Sequence, residues 1–332
     1  MVDTWLLVII VLVALAFDYT NGFHDAANAI ATAVSTRALS PRIALGVAAV
    51  ANFGGAFISQ QVARTVGKGI ISAPVGQAGL VLVLAALLGA IAWNLLTWWF
   101  GLPSSSSHAL IGGIIGAALA AGTAVKWHGV KEKVLIPMVA SPLLGFVIAF
   151  VAMIALLWLV HRAKPAPLNR TFRFLTAVSS GAMALGHGLQ DAQKTMGVIT
   201  LALITSGHLG KNADIPVWVI AAAAGALSLG TAAGGARIMR TLGRKVIQLD
   251  PARAFVAQTT ASIVLFVAAH HKAPISTTHV ITTSIMGAGA TRKLSAVKWG
   301  VARNIIVAWV LTLPAAGLTA ALFYVILKPI LV

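Results

Sequence analysis

The chain has no cysteine among its 332 residues. Disulfide cross-links and thiolate metal sites are therefore excluded. Acidic residues are nearly as scarce, seven in all, with Glu132 the single glutamate. Charged residues of both signs make up 9% of the chain, against about a quarter in a typical soluble domain. There is no Gly-rich loop ending in Gly-Lys-Ser/Thr, so nothing points to nucleotide hydrolysis.

What remains is apolar. Hydrophobic residues account for 59% of the chain. The runs at 78–100, 134–160, 214–235 and 304–327 each reach the roughly 20 residues that cross a bilayer. Ten apolar segments are expected: 4–34 (interrupted), 42–62, 78–100, 108–124, 134–160, 172–205 (interrupted), 214–235, 253–270, 279–290 and 304–327. The first, "WLLVIIVLVALAF", lacks the basic flank and small-residue cleavage site of a secretory signal and reads as membrane. Trp5, Trp98, Trp99, Trp127 and Trp299 fall near segment ends, where an interfacial aromatic belt belongs. The fold class expected is an all-α, multi-pass protein of the cell (plasma or inner) membrane, with the lipid bilayer as its surroundings.

The formal charge of +17 raises nucleic acid as a partner, and the position of the charges argues against it. With the N-terminus outside and each segment crossing once, the loops at 35–43, 161–173, 236–253 and 291–303 lie inside and hold fifteen of the 24 Lys and Arg. Cytoplasmic loops collect such charge. Both termini are thus expected outside, with Lys126, Lys131 and Lys133 as the main dissent.

The chain also repeats itself. "LPSSSSHALIGGIIGA" (102–117) matches "APISTTHVITTSIMGA" (273–288) at an offset of 171. "GFHDAAN" (22–28) matches "GLQDAQK" (188–194), and "RTVGKGI" (64–70) matches "RTLGRKV" (240–246). Two membrane repeats, 1–160 and 172–332, joined by a basic, proline-containing linker over 161–171, account for this. Five segments per repeat invert the second relative to the first. That is a plan of secondary transporters, which bind at the membrane midplane between repeats.

Asp3, Glu132, Asp214 and Asp250 lie in loops or at segment ends, whereas Asp18, Asp25 and Asp191 lie inside segments. An intramembrane aspartate costs about 2.5–3.5 kcal/mol on insertion scales and is a functional candidate by default. Asp25 and Asp191 are repeat equivalents. Asp18 has no acidic equivalent, and capping or interface roles stay open for it. "DYTNGFHDAAN" and "GHGLQDAQK" interrupt their segments with polar residues. Unwound backbone at membrane depth lines cavities, so Asn21, His24, Asn28, His187, Gln190 and Lys194 are expected to face inward with the aspartates. For the two histidines, plain hydrogen-bonded packing is the rival reading.

Pro103 and Pro274 stop the preceding helices, and a row of hydroxyls follows each. Ser and Thr cap helix N-termini, where free N–H groups and the positive dipole end make an anion cradle. Two facing cradles, helical hairpins tipped with Ser105, Ser106 and Ser107 and with Ser276, Thr277 and Thr278, suit a tetrahedral oxyanion. Capping in an extramembrane loop is the rival, and His108 and His279 can be interface residues. A serine hydrolase is disfavoured, because adjacent helical residues do not face each other and because the motif is duplicated. No enzyme is expected.

On these residues the chain resembles the Pit-type inorganic phosphate transporter family, whose members carry two copies of a G-x-N-D-x-A-N-A signature and of a Pro-x-Ser-Ser/Thr-Ser/Thr-His motif. The resemblance spans nearly the whole chain. It implies secondary active import of inorganic phosphate by alternating access. It also implies phosphate contacts at the six hydroxyls, with Asp25, Asn28 and Asp191 in the substrate and coupling-ion site. The signature asparagines are His24 and Gln190 here, and the last asparagine of the second copy is Lys194. An ammonium offers donors and no lone pair to a hard cation, and Asp–His pairs suit proton relay. Proton coupling is therefore expected, with Asp25, Asp191, His24, Asn21, His187 and Gln190 as coupling residues and Lys194 at the substrate, as in the bacterial branch. That branch implies that a divalent metal enters with phosphate. No resident cofactor or metal is expected; a homo-oligomer is compatible. The alternatives are a permease for sulfate or another tetrahedral oxyanion, or a sodium-coupled phosphate symporter.

Overall fold

The computed structural model describes residues 4–72, 74–210 and 212–332, with the side chains of 66–68 excepted. Asp3 lies outside the described residues. The first half holds α1 (Thr4–Ser35), α2 (Pro41–Gly55), α3 (Gln61–Gly69), α4 (Gln77–Phe100), α5 (Ser106–Ala120) and α6 (Trp127–Val130). A π-turn at Lys131–Leu135 carries α6 into α7 (Ile136–Leu159). The second half holds α8 (Pro165–Thr205), α9 (Val217–Ala233), α10 (Ala236–Arg240), α11 (Pro251–His270), α12 (Thr277–Ala290) and α13 (Trp299–Leu331). Among the described residues there is no β-strand, only one isolated bridge between Ile71 and Val125.

Local chemistry sets the helix starts. Proline opens α2, α8 and α11, where its missing N–H costs nothing. Asp250 caps α11 by accepting from the Arg253 N–H at 2.9 Å. Five helices are long and apolar enough to cross a membrane: α1, α4, the continuous Trp127–Leu159 rod, α11 and α13. The pair Val217–Ala233 and Ala236–Lys245, bent by 58°, makes a sixth. Large apolar side chains such as Val50, Trp158 and Leu318 point outward, as a lipid-facing surface requires. The chain is a multi-pass membrane protein.

The halves correspond element by element, down to helix-interior prolines at Pro142 in α7 and Pro314 in α13. α4 and α5 form an antiparallel hairpin whose open end is tied by Ser72 N–H donating to the Ala124 carbonyl at 3.3 Å. α11 and α12 form the matching hairpin. Each hairpin packs against the other half: α5 lies along α13, and α12 lies along α7. Repeat-equivalent glycines permit this. A Cβ on Gly116 would stand 2.0 Å from the Gly317 carbonyl oxygen, and one on Gly287 would stand 2.2 Å from that of Phe146.

Two large apolar clusters fill most of the interior, with a small third at Ala27, Ala31, Ile238 and Leu242. One takes Leu6 to Phe17 of α1, most buried residues of α4 and α5, Ala192 to Leu203 of α8 and Ala316 to Tyr324 of α13. The other takes Ala29 and Ile30 of α1, Met183 and Ala184 of α8, and much of α11 and α12. On α1 and α8, buried polar residues separate the two, from Asp18 to Asn28 and from His187 to Lys194.

Three expectations are corrected. The interruptions at the two signatures are absent, since α1 and α8 run unbroken through them. Their glycines are close-approach points instead. A Cβ on Gly22 would lie 2.3 Å from the Leu227 carbonyl oxygen, and one on Gly188 would lie 2.1 Å from that of Asn52. The breaks fall between α2 and α3, between α9 and α10, and at the hairpin tips. Second, 108–124 and 279–290 are not full crossings. α5 and α12 have 15 and 14 residues, about 22 Å against a hydrocarbon core of about 30 Å, and they start at buried tips. Third, the linker expected over 161–171 is helical from Pro165 onward.

Candidate functional site

The hairpin tips meet. Ser105 and Ser276 are the N-caps of α5 and α12, and each accepts the N–H of the histidine three residues on, His108 and His279, at 3.2 Å. These two hydroxyls are thereby engaged in capping. The next two on each tip turn to the aspartates. Ser106 donates to Asp25 at 3.4 Å and Ser107 to Asp191 at 3.5 Å. Thr277 donates to Asp191 at 3.1 Å and Thr278 to Asp25 at 3.3 Å. Each carboxylate is thus bridged by one hydroxyl from each tip, in a crossed pattern that repeat equivalence maps onto itself. All of these residues are buried.

The seventh position of each signature follows the same symmetry. Asn28 donates to Thr278 at 2.9 Å. Its equivalent, Lys194, donates to Ser107, to Asp191 and, at 3.1 Å, to the Ile275 carbonyl. An amide on one side faces an ammonium on the other.

Each aspartate also has a histidine. His24 Nδ1 lies 2.7 Å from Asp25 Oδ1, and His24 Nε2 lies 3.0 Å from Thr97 Oγ1. Thr97 Oγ1 also lies 2.9 Å from the Trp93 carbonyl and accepts from Ser104 at 2.8 Å, and Ser104 Oγ stands 3.5 Å from the same ring nitrogen. In the second half, Thr231 donates to the Leu227 carbonyl and accepts from Asn52 Nδ2 at 2.7 Å. That turns Asn52 Oδ1 to His187 Nδ1 at 3.0 Å, which must donate. His187 Nε2 then faces Asp191 Oδ2 at 3.0 Å. In both pairs one ring nitrogen faces the carboxylate and the other faces an oxygen of a neighbouring helix.

Most residues singled out from the sequence converge here: Ser106, Ser107, Thr277, Thr278, Asp25, Asn28, Asp191, Lys194, His24 and His187. Two do not. Gln190 turns from the aspartates to the carbonyls of Leu265 at 3.2 Å and Ala273 at 3.5 Å, and so fastens the second hairpin. Asn21 is buried on the Asp18 side of His24. His108 and His279 sit behind the hydroxyls as interface residues. Their rings are 4.9 Å apart, and His279 stacks on Trp309 at 4.0 Å. Trp309 in turn donates to the Pro103 carbonyl at 2.9 Å. Sequence reasoning missed Thr97, Asn52 and Thr231, although a lone asparagine in the apolar run at 42–62 was a usable signal for Asn52.

Two buried aspartates bridged by hydroxyls from both hairpin tips, inside a multi-pass membrane protein, are the arrangement of a membrane transporter. The sequence pattern of the phosphate transporter family matches residues 21–168 and 162–320. The chain is 48% identical over 325 residues, 96% of both chains, to a probable low-affinity inorganic phosphate transporter of Rhizobium meliloti. It is 45% identical over 328 residues, 98% of both, to one of Bacillus subtilis. A solved structure titled as the sodium-dependent phosphate transporter superposes with a TM-score of 0.90 at 26% identity, covering 98% of this chain and 100% of that one. The chain belongs to the phosphate transporter family.

Proposed function

We propose that the chain imports inorganic phosphate across the cell membrane by alternating access, driven by protons, with both termini outside. The observation that carries this reading is the crossed bridging of Asp25 and Asp191 by hydroxyls from both tips. Phosphate inserted between the tips would take those hydroxyls, and the free N–H groups behind them, as donors. At neutral pH phosphate still carries a proton and sulfate does not. A carboxylate facing the anion therefore favours phosphate and repels sulfate. Lys194 adds the positive charge that retains the anion.

The placement of a histidine beside each buried aspartate, His24 at Asp25 and His187 at Asp191, supports proton coupling, because an imidazole takes up and releases protons in the physiological range. A cation accompanying the substrate also has a place. Ligand atoms of Asp25, His187 and Asp191 lie within 4.8 Å of one another. Two carboxylates with an imidazole suit a divalent ion arriving with phosphate better than they suit sodium, which prefers oxygen throughout.

The test is uptake of radiolabelled phosphate into proteoliposomes under an imposed pH gradient or an imposed sodium gradient, with and without magnesium. Accumulation driven by the pH gradient and lost with a protonophore is expected, with little competition from sulfate. Accumulation driven by sodium alone would replace the proton by sodium. Equal competition by sulfate would overturn the substrate.

A further inference from the structure

Three acids lie buried in the membrane region, and two have bases beside them. Asp25 has His24, and Asp191 has His187 and Lys194. Among the described residues Asp18 has no base in contact. It is fully buried on α1, and neither carboxylate oxygen reaches hydrogen-bonding geometry, although Asn21 and Thr195 lie against it.

Its neighbours are unpartnered as well. The Asn21 amide oxygen, the Thr195 hydroxyl and both amide atoms of Asn94 are buried without a hydrogen bond. Asn94 belongs to the same level. It stands one turn before Thr97, which meets His24, and Asn21 stands one turn before His24. α1 and α4 run the same way, because their N-terminal halves share one apolar cluster. The result is a buried group of oxygens from α1 and α8, Asp18, Asn21 and Thr195, with Asn94 of α4 one turn from the Thr97–His24 contact. It has no copy in the second half, where Ala184 and Leu265 take the places of Asp18 and Asn94.

Asp25 and Asp191 each have a basic side chain in contact, so a proton moved between such partners leaves the charge of the site unchanged. Net uptake of a cation requires an acceptor that has no base of its own. The charged groups facing Asp18 from α8 are Asp191 and Lys194, and Lys194 is held by Asp191, Ser107 and the Ile275 carbonyl. α4 and α9 carry no titratable side chain, and α1 carries Tyr19, which is exposed, and then His24 and Asp25.

We propose that Asp18 is the seat of the coupling cation, a proton on the reading given above. The cation binds there while phosphate occupies the tips about 10 Å away along α1, and both leave on the other side. A buried carboxylate without a counter-ion is costly and a neutralised one much less so. The loaded carrier therefore rearranges more readily than the unloaded one. The proposal rests on phosphate transport by this chain, and its test separates the two.

Wild type and Asp18→Asn are compared in proteoliposomes under a pH gradient and a sodium gradient in turn, and also in equilibrium exchange of labelled phosphate without any gradient. The gradient that drives wild-type accumulation should give no accumulation in Asp18→Asn, an internal-to-external ratio of 1. Exchange should continue within about twofold of wild type, because the tips are untouched. Wild-type accumulation in Asp18→Asn overturns the assignment, and so does loss of exchange together with coupling. Asp18→Ser, neutral and smaller, is the companion should Asn fail to insert, with the same criteria. If wild type neither accumulates nor exchanges phosphate, the substrate reading fails. Thermal protection of detergent-solubilised wild type by acid or by sodium, compared with Asp18→Ser, then tests the cation seat alone; equal protection in both proteins overturns it.

Discussion

Replacing Lys194 by methionine tests how the charges at the site are balanced. Methionine keeps the length of the side chain and removes the ammonium. Asp191 then retains His187 at 3.0 Å, Thr277 at 3.1 Å and Ser107 at 3.5 Å, and loses its one permanently charged partner. Removing one member of a buried ion pair costs about 3–5 kcal/mol, whereas replacing both by neutral groups costs far less. The double variant Asp191→Asn/Lys194→Met should therefore be more stable than Lys194→Met alone, with a coupling energy of about 1–3 kcal/mol. Unfolding of the four proteins in detergent, followed by intrinsic tryptophan fluorescence, measures this. Additive effects, or a double variant less stable than either single one, would refute the charge balance described for the site. The same position separates the coupling readings. Lys194→Asn recreates on α8, beside Ser107 of the first tip, the amide that Asn28 of α1 supplies to Thr278 of the second. Uptake by it should fall or turn sodium-dependent, and an unchanged rate with unchanged indifference to sodium would count against the ammonium as a fixed substitute for sodium.

Asp25→Asn and Asp191→Asn should each insert normally and lose gradient-driven phosphate uptake; wild-type uptake by both would remove the carboxylates from the mechanism. Thr231→Val leaves Asn52 free to reorient, which releases His187 Nδ1 from its donor role, so coupled uptake should drop severalfold while the amount of folded protein stays level. A normal uptake rate in this variant would show that the bond from Asn52 does not matter. Gly116→Val places a side chain where the Gly317 carbonyl lies 2.0 Å away, and a separation of α5 from α13 should appear as loss of monodisperse protein in size-exclusion chromatography. An unaltered elution profile would contradict the packing.

Much of this was readable in the sequence because duplication labels its own important positions. An aspartate or a hydroxyl row that occurs once in an apolar chain is ambiguous, and one that occurs twice at matching offsets is a pair meant to meet. Residues without a counterpart were harder to read. Gln190 occupies the place of His24 but serves the hairpin backbone instead, and periodicity does not reveal which face of α8 it takes. Glycine and polar residues in the signatures resembled breaks, since the same residue types serve both for unwinding and for tight helix approach. Only the position of the α2 and α9 backbones distinguishes the two. Thr97 and Thr231 lay among aliphatic neighbours, where a threonine usually bonds its own helix. Both do so, and Thr97 also meets His24 while Thr231 reaches His187 through Asn52.

The substitution of an ammonium for an amide at one of two otherwise matching positions has a directional consequence. A carrier whose halves were chemically identical would hold its cargo equally well when open to either side. Here the positive charge stands on the second half alone, since the matching position of the first half is Asn28. Whichever opening draws Lys194 away from the anion becomes the release face, so the two faces should differ in phosphate affinity even with no gradient imposed.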